Sequence, residues 1–331
     1  MPLIKFLILL TVLIISTDSL AKGLTVFPQN LLLPLNSSAT LTAVLLPLPM
    51  GEGWGEGSTD DKLVDVVWRG TNVFGDMGSL TTTTGSYTTL ITTNLPAFGT
   101  ITAEYGTWTK QVQVAVGLID IFKRVNEQAD NINSFMATCT LSLHIPALSI
   151  NQTQTAKLLF KQPDKLSISL YDSNNKRLQT QIFSGKYMTL IDEVGKRYKK
   201  DVTAFLQAEE LPMGMFQFDM IGFLEKNTVC FNPKNTNVPL YGIDAVAKQG
   251  NDYYDRILFV IDYDKGLVKQ RTVYKDNAIV SEIRITDYEN VDNHWLAKKT
   301  ISKTTTLGYE VVNEVSFDEV GVNKEVGDGE F

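Results

Sequence analysis

Hydrophobic and polar positions alternate in short runs through most of this chain. Between Ala156 and Lys200 three apolar runs are separated by short polar turns, and nothing there has a helical period. Leu166, Ile168 and Leu170 alternate with Ser167 and Ser169, which predicts a strand with one apolar face and one face of small hydroxyls. Asp172 to Lys176 and Ser184-Gly185-Lys186 supply turns where strands of about six residues should end, so the stretch reads as an antiparallel meander. From Leu240 to Phe317 the rhythm returns, with strands expected over Tyr241–Ala247, Tyr254–Ile261, Leu267–Tyr274, Ile279–Tyr288, Trp295–Ser302 and Tyr309–Phe317. Asp264-Lys265-Gly266 and Lys275-Asp276-Asn277 suit tight hairpins, because Gly and Asn accept positive φ.

One segment has a different period. Leu118, Phe122, Val125, Ala129, Ile132 and Met136 recur at steps of four and three, predicting an amphipathic helix of about five turns with Lys123, Arg124, Glu127 and Gln128 opposite. The period then falls to two, as Cys139, Leu141, Leu143 and Ile145 alternate with polar residues, so a strand follows the helix. After Lys200, Leu211, Met213, Met215, Phe216, Met220, Ile221 and Phe223 crowd around Pro212, Gly214 and Gly222, which break the segment into short pieces. A cluster of flexible, polarizable methionines serves either as core filling or as an adaptable surface for apolar ligands.

Residues 22–116 read as a separate all-β unit. Short runs at Leu24–Phe27, Ala39–Leu46, Lys62–Trp68, Gly99–Tyr105 and Trp108–Val116 have the length and spacing of a β-sandwich, with Trp68 as a core residue. Pro47 to Ser58 contains four glycines and two prolines and reads as an inserted loop, and nothing assigns a function to Trp54. The threonine-rich run from Thr81 through Thr93 favours exposed strands and turns.

Two family resemblances rest on these segments. Phe160-Lys161-Gln162-Pro163-Asp164-Lys165-Leu166, then Phe183-Ser184-Gly185-Lys186-Tyr187, then Ile191-Asp192 and Tyr198, resemble the opening sheet of the periplasmic lipoprotein carriers and outer-membrane lipoprotein-sorting proteins (LolA/LolB-like). Ile261-Asp262, Tyr288 to Asp292, His294-Trp295-Leu296 and Val315-Ser316-Phe317 resemble that family's second half, in order, although Ser167, Asn293 and Ala297 replace the usual Arg, Gly and Pro and no Pro follows Asp192. The resemblance covers the chain from about Leu118 onward. Gly99 to Ala103 and Gln111 to Val116 resemble the last strands of bacterial immunoglobulin-like repeats of invasin-type surface proteins. Together they imply a mainly β protein: an N-terminal immunoglobulin-like β-sandwich (22–116), then an α+β half-open antiparallel β-barrel with a covering helix (117–331). In the carrier family the helix lies over the concave side of the sheet, and short helices in the place of the Met-rich segment cover its open side.

Composition narrows the function classes. The chain has 331 residues, a net charge of -7 and 20% charged residues, enough for two cores and without the basic stripe that nucleic acid requires. Lys196, Arg197, Lys199 and Lys200 form a short cluster that reads as a solvated turn or strand edge. Met1 to Ala21 reads as a secretory signal peptide, with Lys5, the apolar run Phe6–Ile15 and a Ser19-Leu20-Ala21 cleavage site, placing the product in the periplasm, with surface exposure as an alternative. On that side of the membrane Cys139 and Cys230 could form a disulfide or stay as free thiols. No nucleophile motif, phosphate loop or metal-ligand motif appears, and His144 and His294 read as surface residues, so no enzyme, cofactor or metal is expected. Asp262 to Gly266 begins like a calcium loop but lacks ligands at the fifth and twelfth positions and reads as a hairpin. The terminal Phe331 has no alternating aromatic strand before it, unlike the end of an outer-membrane barrel.

The expected function is therefore binding. Leu166, Ile168, Leu170, Phe183 and Leu190 are expected to line a cavity for the acyl chains of a lipid or lipoprotein, gated by Met213, Met215, Phe216 and Met220. At about 0.8 kcal/mol per methylene, ten buried methylenes give roughly 8 kcal/mol, near micromolar affinity. The partners would be that cargo and a membrane or envelope protein. The alternative is a structural or adhesive envelope protein whose second unit is solid and whose first unit makes protein contacts.

Overall fold

The computed structural model describes residues 23–46, 62–201, 220–250, 254–306, 308–327 and 331. The expected signal peptide, the glycine-rich loop and Met213, Met215 and Phe216 lie outside them.

The N-terminal unit is a sandwich of two open sheets. Strands β1 (Gly23–Phe27), β3 (Ser38–Leu46), β4 (Lys62–Leu63), β6 (Ser79–Leu80) and β8 (Tyr87–Ile91) form one sheet. Strands β2 (Asn30–Leu33), β5 (Val66–Phe74), β7 (Thr84–Gly85), β9 (Ala97–Tyr105) and β10 (Trp108–Val116) form the other, with β2 parallel to β10. Their inward positions, among them Val26, Leu41, Trp68, Ile101 and Val114, share one core. Trp68 is 2% exposed and donates from Nε1 to the Gly85 carbonyl at 2.9 Å, which satisfies its only polar group inside that core.

The chain leaves the sandwich through Gly117, whose φ of 73° is left-handed and whose missing Cβ makes room for Leu35 and Pro96. Helix α1 (Leu118–Asp130) follows, buried through Leu118, Ile121 and Phe122. It is shorter than its apolar stripe predicts. Asn323, far along the chain, accepts from the backbone N–H of Asn133 (2.7 Å) and Ser134 (3.3 Å) and donates to the Asn131 carbonyl (3.0 Å). These bonds offer the backbone an alternative to another helical turn, so Ile132 and Met136 leave the helix.

The rest is one antiparallel sheet of 13 strands. Strands β11 (Ser134–Ile145), β12 (Ile150–Lys161), β13 (Lys165–Tyr171), β14 (Arg177–Ser184), β15 (Tyr187–Ile191) and β16 (Arg197–Asp201) meander to one edge. After a short helix, α2 (Met220–Lys226), the chain returns from the opposite edge through β17 (Asn227–Phe231), β18 (Leu240–Ala247), β19 (Arg256–Asp262), β20 (Leu267–Lys275), β21 (Ala278–Val291), β22 (His294–Thr306) and β23 (Tyr309–Val322). Pairing of β23 with β11 joins the two meanders, while β16 and β17 remain edges, so the sheet is open and no barrel closes. The hairpins use the expected residues: Gly266, Asp276 and Asn277 all have positive φ. Asp262 accepts from the backbone N–H of Lys265 at 3.1 Å and pairs with its ammonium at 2.7 Å, the arrangement of a hairpin turn.

The sandwich and the curved sheet share a core. Phe74 and Phe98 pack against Phe231 and Tyr241, with the Phe74 and Phe231 rings edge-on at 5.0 Å. The Asp120 carboxylate at the start of α1 also accepts from the backbone N–H of Leu35 at 3.1 Å.

Candidate functional site

Of the apolar residues singled out from the sequence, Leu166, Ile168, Leu170, Phe183 and Leu190 fall on one face of the large sheet. In the strand register Leu166 stands opposite Phe183 on β14 and Phe160 on β12, while Ile168 stands opposite Leu158 and Gln181, and Gln181 opposite Leu190. Leu170 pairs with Ala156 and Gln179. Because side chains alternate between faces with period two, these pairings put all five residues on one side.

That face continues across the sheet. Phe160 pairs with Phe135, and the Phe135 and Phe317 rings meet at 6.3 Å in a T-shaped contact. Further along, Leu141 pairs with Val315, Val315 with Thr300 and Thr300 with Ile285. From Ile283 the register passes through Arg271 to Phe259, so the same face reaches the strands under the helices. There Phe122 of α1, Phe223 of α2 and Phe259 of β19 pack with centroids 5.7 to 6.2 Å apart.

The two halves of the face differ. α1 and α2 cover β17 to β20, and among the described residues no helix covers β11 to β15. Burial in that second half is graded: Leu166 and Phe183 are 1% and 3% exposed, whereas Ile168, Leu170, Met188 and Leu190 are half-buried. Aromatic side chains pack this face near β11, and burial falls toward the β15–β16 edge. Gln179 and Gln181 interrupt the apolar surface, which makes it amphipathic. Phe135, Phe160, Phe317 and Met188 complete the face and were not foreseen, although the alternation around Phe160 is as clear as that around Leu166. Met220 opens α2.

Two clefts lie elsewhere. One, of about 440 Å³, sits between α1 and the β19–β20 turn and is lined by Asp120, Lys123, Arg124, Glu127, Tyr263 and Asp264. The other, of about 370 Å³, is on the opposite face of β12 to β15.

Burial pushes Cys139 and Tyr288 toward their neutral forms. Cys139 is fully buried opposite Ala156, and burial, followed by the nearby Asp318 charge, pushes its thiol up to about 12. Cys230 is exposed on the edge strand β17, and the two cysteines are free thiols, so the disulfide left open from the sequence is not formed. Six strands lie between theirs in the sheet. Burial also raises the Tyr288 phenol, helped by Asp262, and among the described residues its hydroxyl has no hydrogen-bond partner. His144 bonds to Asn151 and His294 to the Asp292 carbonyl, both on the surface. Among the described residues no group of three His, Cys, Asp or Glu could hold a metal ion.

No family model and no curated protein matches the chain. Solved structures do. A DUF1329 family protein from Desulfovibrio piger aligns with a TM-score of 0.50 at 13% identity, over 64% of this chain and 94% of that one. A domain assigned to outer membrane lipoprotein sorting, from Vibrio parahaemolyticus, aligns with a TM-score of 0.50 at 11% identity over the same shares. The matched share is about the length of the chain from α1 onward. The chain thus shares its fold with the DUF1329 and outer membrane lipoprotein-sorting proteins, as the order of helix and strands in its sequence implies.

Proposed function

We propose that this is a non-enzymatic binding protein of the cell envelope that takes acyl chains of a lipid or lipoprotein on the concave face of its curved sheet and carries them toward the outer membrane. The observation that carries the reading is the graded apolar face of β13 to β15. Leu166 and Phe183 are sealed, Ile168, Leu170 and Leu190 are half-buried, and no helix covers them among the described residues. An acyl chain laid there would complete the burial of side chains already half out of water. About ten methylenes so buried correspond to roughly 8 kcal/mol and a near-micromolar complex, tight enough to cross water and weak enough to release. The shared fold and the leader expected over Met1–Ala21 support an envelope carrier.

The test is uptake of a fluorescent fatty-acyl probe by delipidated full-length protein. Near-micromolar binding is expected, and Ile168→Gln with Leu190→Gln should weaken it by roughly tenfold or more, since each removes a methylene contact surface worth more than about 1 kcal/mol. No uptake well above micromolar concentration, or uptake indifferent to both substitutions, overturns the reading.

A further inference from the structure

The opposite face of the same strands carries a second, chemically different surface. There Ser167 and Ser169, the hydroxyl side of β13, form with Thr180 the floor of the cleft of about 370 Å³. Ser167 is 3% and Thr180 6% exposed, so these are built-in hydroxyls rather than loose surface groups. Ser169 and Thr180 are hydrogen-bonded to each other at 2.8 Å. One bond between two hydroxyls uses a single O–H, which leaves the pair a donor to offer.

Around this floor stand Lys157, Arg177 and Arg197, and among the described residues no Asp or Glu side chain lines the cleft. Among the described residues none of the three is engaged in an ion pair, although the chain as a whole carries a net charge of -7. Lys157 is held with its ammonium 5.7 Å from the centre of the Tyr171 ring, over the cleft rather than away from it. Leu159 and Ile182 supply an apolar wall, and Phe331 closes one end. Three cations and hydroxyl donors converging without an Asp or Glu partner among the described residues are complementary to a group with several anionic oxygens, and the planar forks of two arginines suit phosphate.

We propose that this cleft binds a phosphate-ester group, borne by a phospholipid headgroup or by a soluble phosphorylated molecule. The proposal is independent of acyl binding, because the two surfaces lie on opposite faces of the sheet. Arg197 also belongs to the exposed edge strand β16, whose Tyr198 stands opposite Leu190 on the apolar face, so a headgroup bound here would bring the open edge of that face to a bilayer surface.

The experiment uses the full-length protein and two sets of probes: inorganic phosphate and glycerol phosphate followed by calorimetry, and flotation with phosphatidylglycerol-containing phosphatidylcholine vesicles. Arg177→Gln with Arg197→Gln should weaken binding by roughly tenfold or more, as expected for losing charge-assisted hydrogen bonds. The control pair Lys234→Gln with Lys303→Gln makes the same change in net charge on exposed strand and loop positions and should leave it nearly unchanged. Binding of the vesicles alone assigns the cleft to lipid headgroups, and binding of the soluble phosphates alone assigns it to small phosphorylated solutes. If neither probe binds, or if the control pair weakens binding as much as the arginine pair, the proposal is wrong.

Discussion

The edge-on contact between Phe74 of the sandwich and Phe231 of the curved sheet makes the two units one cooperative structure, and a double-mutant cycle measures it. Phe231 is 4% exposed and packs against Phe74, Phe98 and Tyr241 at centroid distances of 5.0, 6.2 and 6.2 Å. Removing a ring this enclosed creates a cavity bounded by both units, so Phe231→Ala should cost about 3–5 kcal/mol. Phe74 is only partly buried, and Phe74→Ala should cost less. The double variant should lose less than the sum, by about 0.5–1.5 kcal/mol, the contribution of an aromatic pair beyond its buried area. Urea denaturation of the four proteins, followed by far-ultraviolet circular dichroism, supplies the cycle, provided that each unfolds in one transition. A coupling within about 0.3 kcal/mol of zero would refute the packing argument. Two separate transitions in the unsubstituted protein would do so more directly, since a shared core cannot melt in halves.

Three further outcomes are expected. Asn323→Ala removes three hydrogen bonds at the α1–β11 junction and a residue suited to its φ of 53°, so it should destabilise by about 1–3 kcal/mol and raise amide exchange at Asn133 and Ser134; unchanged protection there contradicts the clamp. In the native protein a thiol reagent should label Cys230 and spare Cys139 until the sheet unfolds, and equal labelling of both, or a disulfide in the non-reduced mass spectrum, contradicts the arrangement. Burial, with Tyr263 and Asp264 nearby, pushes the Tyr241 phenol up to about 12, above its ordinary value near 10. Its neutral form therefore adds stability that is fully present below about pH 10 and is lost as pH rises toward 12. Tyr241→Phe should flatten the alkaline limb of a stability–pH curve, and an identical limb in both proteins counts against the assignment.

Period-two alternation was enough to find most strands, because a strand that buries one face must write that face into every second residue. Trp108–Val116 has the bounds read from its sequence, and the hairpins at Gly266 and Asn277 were legible because positive φ selects a narrow set of residues. The same rule placed Leu166, Ile168 and Leu170 on one face and Ser167 and Ser169 on the other, and so contained both candidate surfaces before either had a partner. The switch to a helical period at Leu118 located α1 and, with it, the limit of the sandwich.

What alternation cannot encode is which strands become neighbours and which face turns inward. The ladder between β11 and β23, in which Cys139 stands opposite Phe317, joins residues far apart in the chain and makes two meanders into one sheet. The end of α1 belongs to Asn323, a residue some 190 positions further along the chain, so local periodicity overran it. Strand order then decided that Phe135, Phe160 and Phe317 would be packed together while Ile168 and Leu190 stayed half-buried, and that Cys139 and Cys230 would lie with six strands between them. It also gathered Lys157, Arg177 and Arg197 from three strands around the Ser167 floor. Each of those residues, read along the chain, is an ordinary solvated cation; only their convergence, fixed by hydrogen-bond register between strands, makes a site.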